Sequence, residues 1–457
     1  MVKLYSFLIL IMSVIGCSNT TYMLPKYKPH ILSINASVKP NIKHSKWKTI
    51  SIPDSCDNLQ SYFNTEKTVY CIAYHFNVDT LRIPKDCELY FSDGSIRGVL
   101  YLDNTCLSGA PNLCGAVLNG SVNNDQFEAG WICYGDGVHD DANNINQILK
   151  VCNKIHFQDG LYLLRSMHAP DDSLPVTYHS SVKSHIGIYK SEVSIDGDEH
   201  ACLLVDDGMS AINIYSLPNK SPIKNIRISN MELRCVNDDN VFHEFNHTIK
   251  AMGVDALVIN NCHFYDFYGD AICLSHYGDN PTTGERTRNR NVLIEDNYIE
   301  GRSHNNRNAI SVISGQKVSI HNNYIEHTSK SDMPGAIDVE ANNSAFTVDD
   351  IKITNNYIND SKGGGGAISI VSERDAPAHN ITINSNVIEN TKCGIFIKID
   401  SRNTTEGFII QNNQLSKVDI PIYIKGTGNS SKWIVKDNSF QFSRKLLKGV
   451  NVDNLKF

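Results

Sequence analysis

The chain has 457 residues, which is too long for one ordinary compact core and indicates either several domains or one elongated repeat body. Hydrophobic residues make up 41% and charged residues 20%, as in folded proteins, and this excludes a disordered chain. The formal net charge is −7, so the sequence has no basic balance and predicts no nucleic-acid partner.

The N-terminus carries the pattern of an export signal. Lys3 precedes an apolar run over residues 4–15, which is too short to span a bilayer as a stable helix. The following tetrapeptide VIGC, ending at Cys17, resembles the lipobox of bacterial lipoproteins. The resemblance implies a signal peptide over residues 1–17, a lipid on Cys17, and an exported protein anchored in the bacterial cell envelope, at the outer membrane or cell surface. An ordinary signal peptide with a chance cysteine is the alternative.

Residues 18–46 show no periodic pattern of apolar residues. They are predicted to form a tether between the lipid anchor and the folded body. Residues 47–130 are strand-rich and are predicted to form a small N-terminal β region, either a separate domain or the first irregular coils. The thirteen cysteines show no C-x-x-C spacing, so no zinc site is predicted. Buried free thiols are the favoured interpretation. One or two disulfides remain open among five cysteines, namely Cys56, Cys71, Cys87, Cys106 and Cys114.

The second half of the chain is periodic. Copies of an alternating strand followed by a polar corner begin at residues 257, 292, 318, 351, 381, 408 and 433, with a weaker copy at 226. The same corner position holds asparagine in six copies: Asn297, Asn323, Asn356, Asn386, Asn413 and Asn438. Asparagine tolerates left-handed backbone and can bond to its equivalents in a stack, so a structural ladder is predicted.

A further strand follows in each coil, and its apolar residues fall in register. The pairs are Ile272/Leu274, Ile310/Val312, Ile337/Val339, Ile368/Ile370, Ile395/Ile397 and Ile422/Ile424. Such pairs are expected to stack inward as a continuous column. The sequence therefore predicts an all-β chain forming a right-handed parallel β-helix over residues 131–457.

A motif at the start of this body supports the fold. Gly135-Asp136-Gly137 is followed by Asp140-Asp141, a helical pattern, and Gly160-x-Tyr162. The motif resembles the N-terminal entry of the pectate-lyase-like superfamily, which includes phage tailspike depolymerases. The resemblance implies that a short helix caps the β-helix, that the aspartates are structural, and that a polysaccharide is the partner. Because tailspike relatives are often trimers, a homotrimer is also open.

One coil places two acids between its apolar residues. Asp338 and Glu340 share one face of a strand and are expected to face solvent at the floor of a shallow groove. The same column places the small residues Ser311 and Ser369 on either side, and the aromatic residues Phe396 and Tyr423 further along. Paired carboxylates suit glycoside hydrolysis, in which one is an acid and the other a base or nucleophile. A calcium site and a plain acidic surface are alternatives.

Loops of a solenoid gather on one rim, so polar residues beside this strand are candidate site residues. Asp270 is a candidate third carboxylate. The candidate substrate-binding residues are Arg307, Asn308, His276, Tyr277, Arg374, Phe396 and Tyr423. Arg307 and Arg374 could bind carboxylates of an acidic sugar, although an ion pair at the protein surface is the simpler interpretation of each arginine.

The first functional hypothesis is a surface-anchored glycoside hydrolase using Asp338, Glu340 and Asp270, with no certain cofactor. The second is a polysaccharide lyase in which the two acids hold calcium and Arg307, His276 or Tyr277 acts as base or neutraliser. No lysine falls in the aligned acid column, which weighs against the lyase. The third is a non-catalytic glycan-binding or adhesive β-helix. The triplets of polygalacturonases, Asn-Thr-Asp, Gly-His-Gly and Arg-Ile-Lys, are absent.

Four consecutive glycines, Gly363 to Gly366, precede the strand after the acid pair. They form either a tight structural corner or a bare backbone wall of a sugar subsite. The second interpretation predicts that Gly365→Val lowers activity and leaves stability intact.

Overall fold

The computed structural model describes residues 42–55, 58–168, 183–206, 210–216, 221–236, 242–276, 288–301, 304–341, 348–373, 376–431, 433–441 and 447–449. These residues form a parallel β-helix of three long sheets, preceded by a smaller sheet. The predicted fold class is confirmed. The signal segment with Cys17, most of the tether, and Cys56 lie outside the described residues. No helix in the described part of the chain is long and apolar enough to cross a membrane.

The N-terminal region forms a six-stranded sheet in which every strand pairing is parallel. Its strands are β1 (Lys48–Ser51), β2 (Thr68–Ile72), β3 (His75–Arg82), β4 (Glu88–Phe91), β5 (Ser95–Gly109) and β6 (Ala116–Val122). Short 3-10 helices cover Leu59–Tyr62 and Ala129–Trp131. The buried residues of this region belong to the same continuous core as those of the coils. The boundary at residue 130 stays a prediction.

The three long sheets take one strand each from successive coils. Sheet A contains β7 (Phe127–Glu128), β9 (Lys154–Phe157), β12 (Ser194–Gly197), β15 (Ile223–Ser229), β18 (Val254–Asn260), β21 (Asn289–Glu295), β24 (Gly315–His321), β27 (Val348–Thr354), β30 (Ala378–Asn384), β33 (Ile409–Gln411) and β36 (Ile434–Lys436). Sheet B contains β8 (Asp136–Asp140), β10 (Gly160–Leu164), β13 (Ala201–Val205), β16 (Glu232–Cys235), β19 (His263–Tyr265), β22 (Tyr298–Glu300), β25 (Tyr324–Glu326), β28 (Tyr357–Asn359), β31 (Val387–Glu389), β34 (Gln414–Ser416) and β37 (Ser439–Gln441). Sheet C contains β11 (Ile186–Ile188), β14 (Ile212–Tyr215), β17 (Ile249–Met252), β20 (Ile272–Ser275), β23 (Ile310–Val312), β26 (Ile337–Ala341), β29 (Ile368–Ser372), β32 (Cys393–Glu406), β35 (Ile420–Ser431) and β38 (Leu447–Gly449).

The apolar column of sheet C has the predicted register. Ile337 pairs with Ile310 on one side and with Ile368 on the other, and Val339 pairs in the same way with Val312 and Ile370. All six of these side chains are fully buried. Because side chains alternate along a strand, the residues between them project away from this core.

The asparagine ladder is confirmed along the corner between sheets A and B. The side-chain oxygen of Asn356 accepts hydrogen bonds from the backbone N–H and Nδ2 of Asn323, at 3.0 and 2.9 Å. The same two bonds link each next pair up to Asn413 and Asn438. One detail of the prediction was wrong. The left-handed backbone belongs to the residue before each ladder asparagine, such as Asn322 or Asn355, with φ of 53° and 56°.

The single described α-helix, α1 (Ala142–Val151), packs against β6 and the first coils, with Ile145 and Ile148 in the shared core. The structural role predicted for the aspartates agrees with their hydrogen bonds. Asp140 accepts a bond from the first helical N–H, at Ala142. Asp141 turns back to the glycine turn and accepts the N–H groups of Tyr134 and Gly135, at 2.8 and 2.9 Å.

The cysteines of the described chain are free thiols, and most are buried. They include four of the five that were open to disulfide formation, Cys71, Cys87, Cys106 and Cys114. In the described part of the chain, the cysteines therefore agree with the favoured interpretation of buried free thiols.

The glycine run is a structural corner packed on the preceding coil. A Cβ atom at Gly365 would lie 2.8 Å from the carbonyl oxygen of Pro334, and one at Gly363 would lie 2.4 Å from the Cα of Gly335. These obstacles are backbone atoms, which cannot move aside without shifting a coil. The prediction that Gly365→Val leaves stability intact is therefore wrong. The interpretation of the glycines as a bare backbone wall of a sugar subsite, from which that prediction came, is wrong as well.

Candidate functional site

The acid pair lies on β26, but Asp338 does not face solvent as expected. Asp338 pairs with Ser311 of β23 and Ser369 of β29, and all three side chains are buried. Glu340 keeps 23% of its side chain exposed. The expected open groove floor is wrong for Asp338, because residues from the loop before β23 lie over this column.

Arg307 is the residue that covers the acids. Its Nη2 atom lies 3.1 Å from Glu340 Oε2 and 3.6 Å from Asp338 Oδ2. Its Nη1 atom lies 3.0 Å from Asp270 Oδ2, and Nε lies 3.9 Å from Glu244 at the exposed edge. One guanidinium, 11% exposed, therefore joins four carboxylates. We call Arg307, Asp270, Asp338 and Glu340 the arginine–carboxylate cluster.

Asp270, predicted as a third carboxylate, is fully buried in this cluster. It accepts the backbone N–H of Asn308 at 3.1 Å and lies 3.1 Å from His247 Nδ1. Burial acts to raise the pKa of Asp270, but the charge of Arg307 and the contact with His247 outweigh it and lower the pKa to about 2. Asp270 is therefore ionised and fixes the position of Arg307.

Asp338 has the opposite character. Burial and the negative charge of neighbouring Glu340 raise the pKa of Asp338 well above its usual value, and Arg307 only partly opposes them. Among the described residues, its Oδ1 atom has no hydrogen-bond partner in bonding geometry, although Ser369 lies beside it. Its Oδ2 atom receives a long contact of 3.5 Å from Asn308 Nδ2. Burial and Glu340 thus favour the protonated form of Asp338, whereas Arg307 favours the ionised form of Asp270.

Two titratable residues of this site were not predicted from the sequence. Lys250 on β17 pairs with Cys273 on β20, which pairs with Ser311, so Lys250 stands in the same outward column as Asp338. The prediction that the acid column has no lysine was wrong for both acids: β17 lacks the aligned repeat of the later coils, and Lys398 on β32 is in register with Glu340 through Val371. Burial lowers the pKa of Lys250, against the opposing effect of the Cys273 thiol and of Asp270.

His247 is the second missed residue. It is buried, and burial lowers its pKa against the opposing charge of Asp270. It precedes β17 in a segment without a repeat pattern, and its four-residue spacing from His243 is the sequence signal that could have found it. Its role in the structure is to position Asp270.

The remaining candidates divide into four groups. Asn308 joins the cluster and is fully buried, with Nδ2 at 2.9 Å from Ser311 Oγ. Phe396 and Tyr423 follow the acid column, as predicted, and their rings contact edge to face with centroids 5.4 Å apart. His276 is partly buried at the end of β20. Tyr277 and Arg374 lie outside the described residues.

Calcium is disfavoured at the acid pair. A cation held by Asp338 and Glu340 would occupy the place of the Arg307 guanidinium, which already lies within ion-pair distance of both. The arrangement instead places a carboxyl group with a raised pKa, a carboxylate with a lowered pKa and a guanidinium within one contact network. These are the parts of acid–base chemistry on an anionic or hydroxyl-rich substrate.

Comparisons with known proteins concern the fold. The family model described as "Right handed beta helix region" matches residues 253–444, the coils that carry the cluster. No curated protein matches the chain significantly. A surface protein and adhesin of Streptococcus pneumoniae, PfbA, is similar at 13% identity over 71% of this chain and 100% of that chain, with a TM-score of 0.40.

Two further solved structures are similar at comparable levels. The Acinetobacter baumannii phage AM24 tailspike is 12% identical over 70% of this chain and 55% of that chain, with a TM-score of 0.42. A Yersinia enterocolitica family 28 exopolygalacturonase is 10% identical over 88% of this chain and 77% of that chain, with a TM-score of 0.39. Identities and scores at this level carry no argument about activity.

Proposed function

We propose that this chain, a right-handed parallel β-helix, hydrolyses glycosidic bonds of a polysaccharide at the arginine–carboxylate cluster. Asp338 is the general acid, and Glu340 is the base or nucleophile. The observation that carries the proposal is the raised pKa of Asp338, which burial and the adjacent Glu340 carboxylate produce. A carboxyl group whose pKa is raised in this way suits the role of general acid.

Substrate access to Asp338 depends on Arg307. The Nη2 atom of Arg307 contacts both acids, so the leaving oxygen of a sugar reaches Asp338 only when Nη2 shifts to another anion while Nη1 stays on Asp270. A carboxylate or sulfate on the sugar provides that anion, because arginine binds such groups with two parallel hydrogen bonds. The proposal therefore favours an anionic polysaccharide over a neutral one.

The test is release of reducing ends from a panel of neutral, uronate-containing and sulfated polysaccharides. Asp338→Asn is expected to lower the rate about 10²- to 10⁴-fold, the usual contribution of a general acid. The matched control is Asp332→Asn, which changes an aspartate that is 59% exposed and lies in the same coil. Full activity in Asp338→Asn would remove Asp338 from the mechanism.

A polysaccharide lyase is the second candidate, and Lys250 favours it. A lyase needs a base to remove the proton beside a uronate carboxylate, and burial lowers the pKa of Lys250 in the column that holds Asp338. Lysine with a lowered pKa is a competent base. Arg307 would neutralise the uronate. An unsaturated product that absorbs ultraviolet light, formed in the same assay, identifies this reaction.

The non-catalytic alternative is decided by the same panel, because binding without any product would leave a glycan-binding or adhesive β-helix. Two predictions about location and assembly also stay predictions. Lipid attachment at Cys17 and a homotrimer rest on the resemblances given above, and neither is used in the mechanism.

A further inference from the structure

Two histidines and an aspartate meet at a second place on the β-helix, at the corner that follows sheet B. His327 directly follows β25 and Asp360 directly follows β28, so they hold the same corner position in successive coils. His304 belongs to the preceding coil, shortly after β22. The chain here stacks one residue from each of three coils into one cluster.

The ligand-capable atoms of these residues converge on one oxygen. His327 Nδ1 lies 2.9 Å and His304 Nε2 lies 3.2 Å from Asp360 Oδ2. All three atoms lie within 4.8 Å of one another. In a tetrahedral zinc site with bonds of about 2.0–2.1 Å, ligand atoms are separated by about 3.3 Å. The two measured separations are close to that value.

The surroundings of His327 match those of a metal-bound histidine. Its second ring nitrogen, Nε2, lies 3.8 Å from Glu326 Oε2, so a carboxylate faces the side of the ring that points away from the cluster. Glu326 is itself held by the hydroxyl groups of Tyr298 and Tyr324. A carboxylate that orients the remote nitrogen is the usual outer partner of a histidine ligand.

We propose that His304, His327 and Asp360 form a binding site for a divalent transition-metal ion, with Zn²⁺ as the best fit. Two imidazoles and one carboxylate are ligands that zinc accepts, whereas calcium and magnesium prefer oxygen ligands only. Lys362 contacts the other oxygen of Asp360, so Oδ2 stays directed at the histidines. The three residues are partly exposed, so an ion can enter from solvent.

The ion would link three successive coils, whereas most other contacts in the β-helix join only adjacent coils. It would also fix the segment between His304 and Asn308, which carries Arg307 of the arginine–carboxylate cluster. No spacing pattern in the sequence indicates this site, because its ligands are separated by whole coils. The proposal stands on its own geometry and does not depend on the proposed function.

The experiment is isothermal titration of ZnCl₂ into the EDTA-dialysed full chain, combined with thermal unfolding with and without ZnCl₂. Wild type is expected to bind zinc and to gain thermal stability. His327→Ala and Asp360→Asn are expected to bind one ion fewer and to lose the gain. Glu326→Gln is expected to keep the site with about 10- to 100-fold weaker affinity.

The matched control is His321→Ala, in the same coil, whose Nδ1 lies 2.9 Å from Thr354 Oγ1 and outside the cluster. It is expected to bind zinc as wild type does. His304→Gln replaces His327→Ala if circular dichroism shows that the latter does not fold. No binding by wild type, or the same number of ions and the same thermal gain in the cluster variants, would overturn the proposal.

Discussion

Replacing Arg307 with methionine is expected to lower the free energy of unfolding by about 3–5 kcal/mol at pH 7, the usual cost of removing one partner of a buried ion pair. The substitution leaves Asp270 and Asp338 buried and Glu340 largely buried without their shared cation. Methionine retains most of the apolar stem of the arginine side chain. The loss of unfolding free energy therefore comes from the missing charge and not from a cavity. Chemical denaturation followed by circular dichroism measures it.

The loss is expected to shrink as the pH falls. In the wild type, the pKa of Asp270 is about 2, below the ordinary unfolded value of about 3.9, so its contribution is present above pH 4 and disappears as the pH falls through 2. Without Arg307, burial would raise the pKa of Asp270 above the unfolded value, and stability would instead be lost as the pH rises. The two curves therefore approach each other only as the pH falls through about 2.

Two variants control this prediction. Arg165→Met removes the ion pair with Asp206, in which the arginine is 58% exposed, and is expected to cost less than about 1 kcal/mol. Arg307→Lys keeps the charge but loses the fork that reaches several carboxylates, so an intermediate loss is expected. A stability of Arg307→Met equal to that of Arg165→Met would show that the cluster is not held by this charge.

Asn356→Ala is the second substitution with a large expected effect, about 3–6 kcal/mol of unfolding free energy. It removes the acceptor for Asn323 and the donor to both Ile320 O and Asn386 Oδ1, all buried. Each buried group left without a partner costs about 1–3 kcal/mol. Urea unfolding measures the loss.

The ladder supplies its own control. Asn438 is the last asparagine of the described ladder, makes the equivalent bonds to Asn413, and is only partly buried. Water can replace its bonds, so Asn438→Ala is expected to cost less than half as much as Asn356→Ala. Equal losses at the two positions would mean that burial along the ladder does not determine its contribution.

The repeated part of the fold could be predicted because each coil repeats the same pattern of strand, polar corner and strand. Ile337 and Val339 lie in register with their counterparts because a column of like residues buries apolar area in every coil. The ladder from Asn297 to Asn438 followed from the same periodicity. The left-handed residue was misplaced by one position, since both corner residues are often asparagine and the sequence does not separate their roles.

The site could be predicted only in part. Asp338, Glu340 and Asp270 were predicted as site residues, and they lie in one cluster. Their burial was not predicted, because it depends on a loop that crosses the strand. Arg307 was expected to contact substrate, and it contacts the acids instead. Lys250 and His247 lie in coils without the repeat pattern, so their approach to Asp270 is a property of the three-dimensional stack.

We predict that burial and Glu340 raise the pKa of Asp338 enough for its carboxyl group to stay protonated at neutral pH. Infrared difference spectroscopy of wild type against Asp338→Asn at pH 7 measures this state, because a protonated carboxyl group absorbs at a different frequency from a carboxylate. Wild type is expected to show a protonated-carboxyl band that is absent from Asp338→Asn and that disappears only at higher pH. If the wild-type difference at pH 7 is a carboxylate band, Asp338 is ionised and is not the general acid.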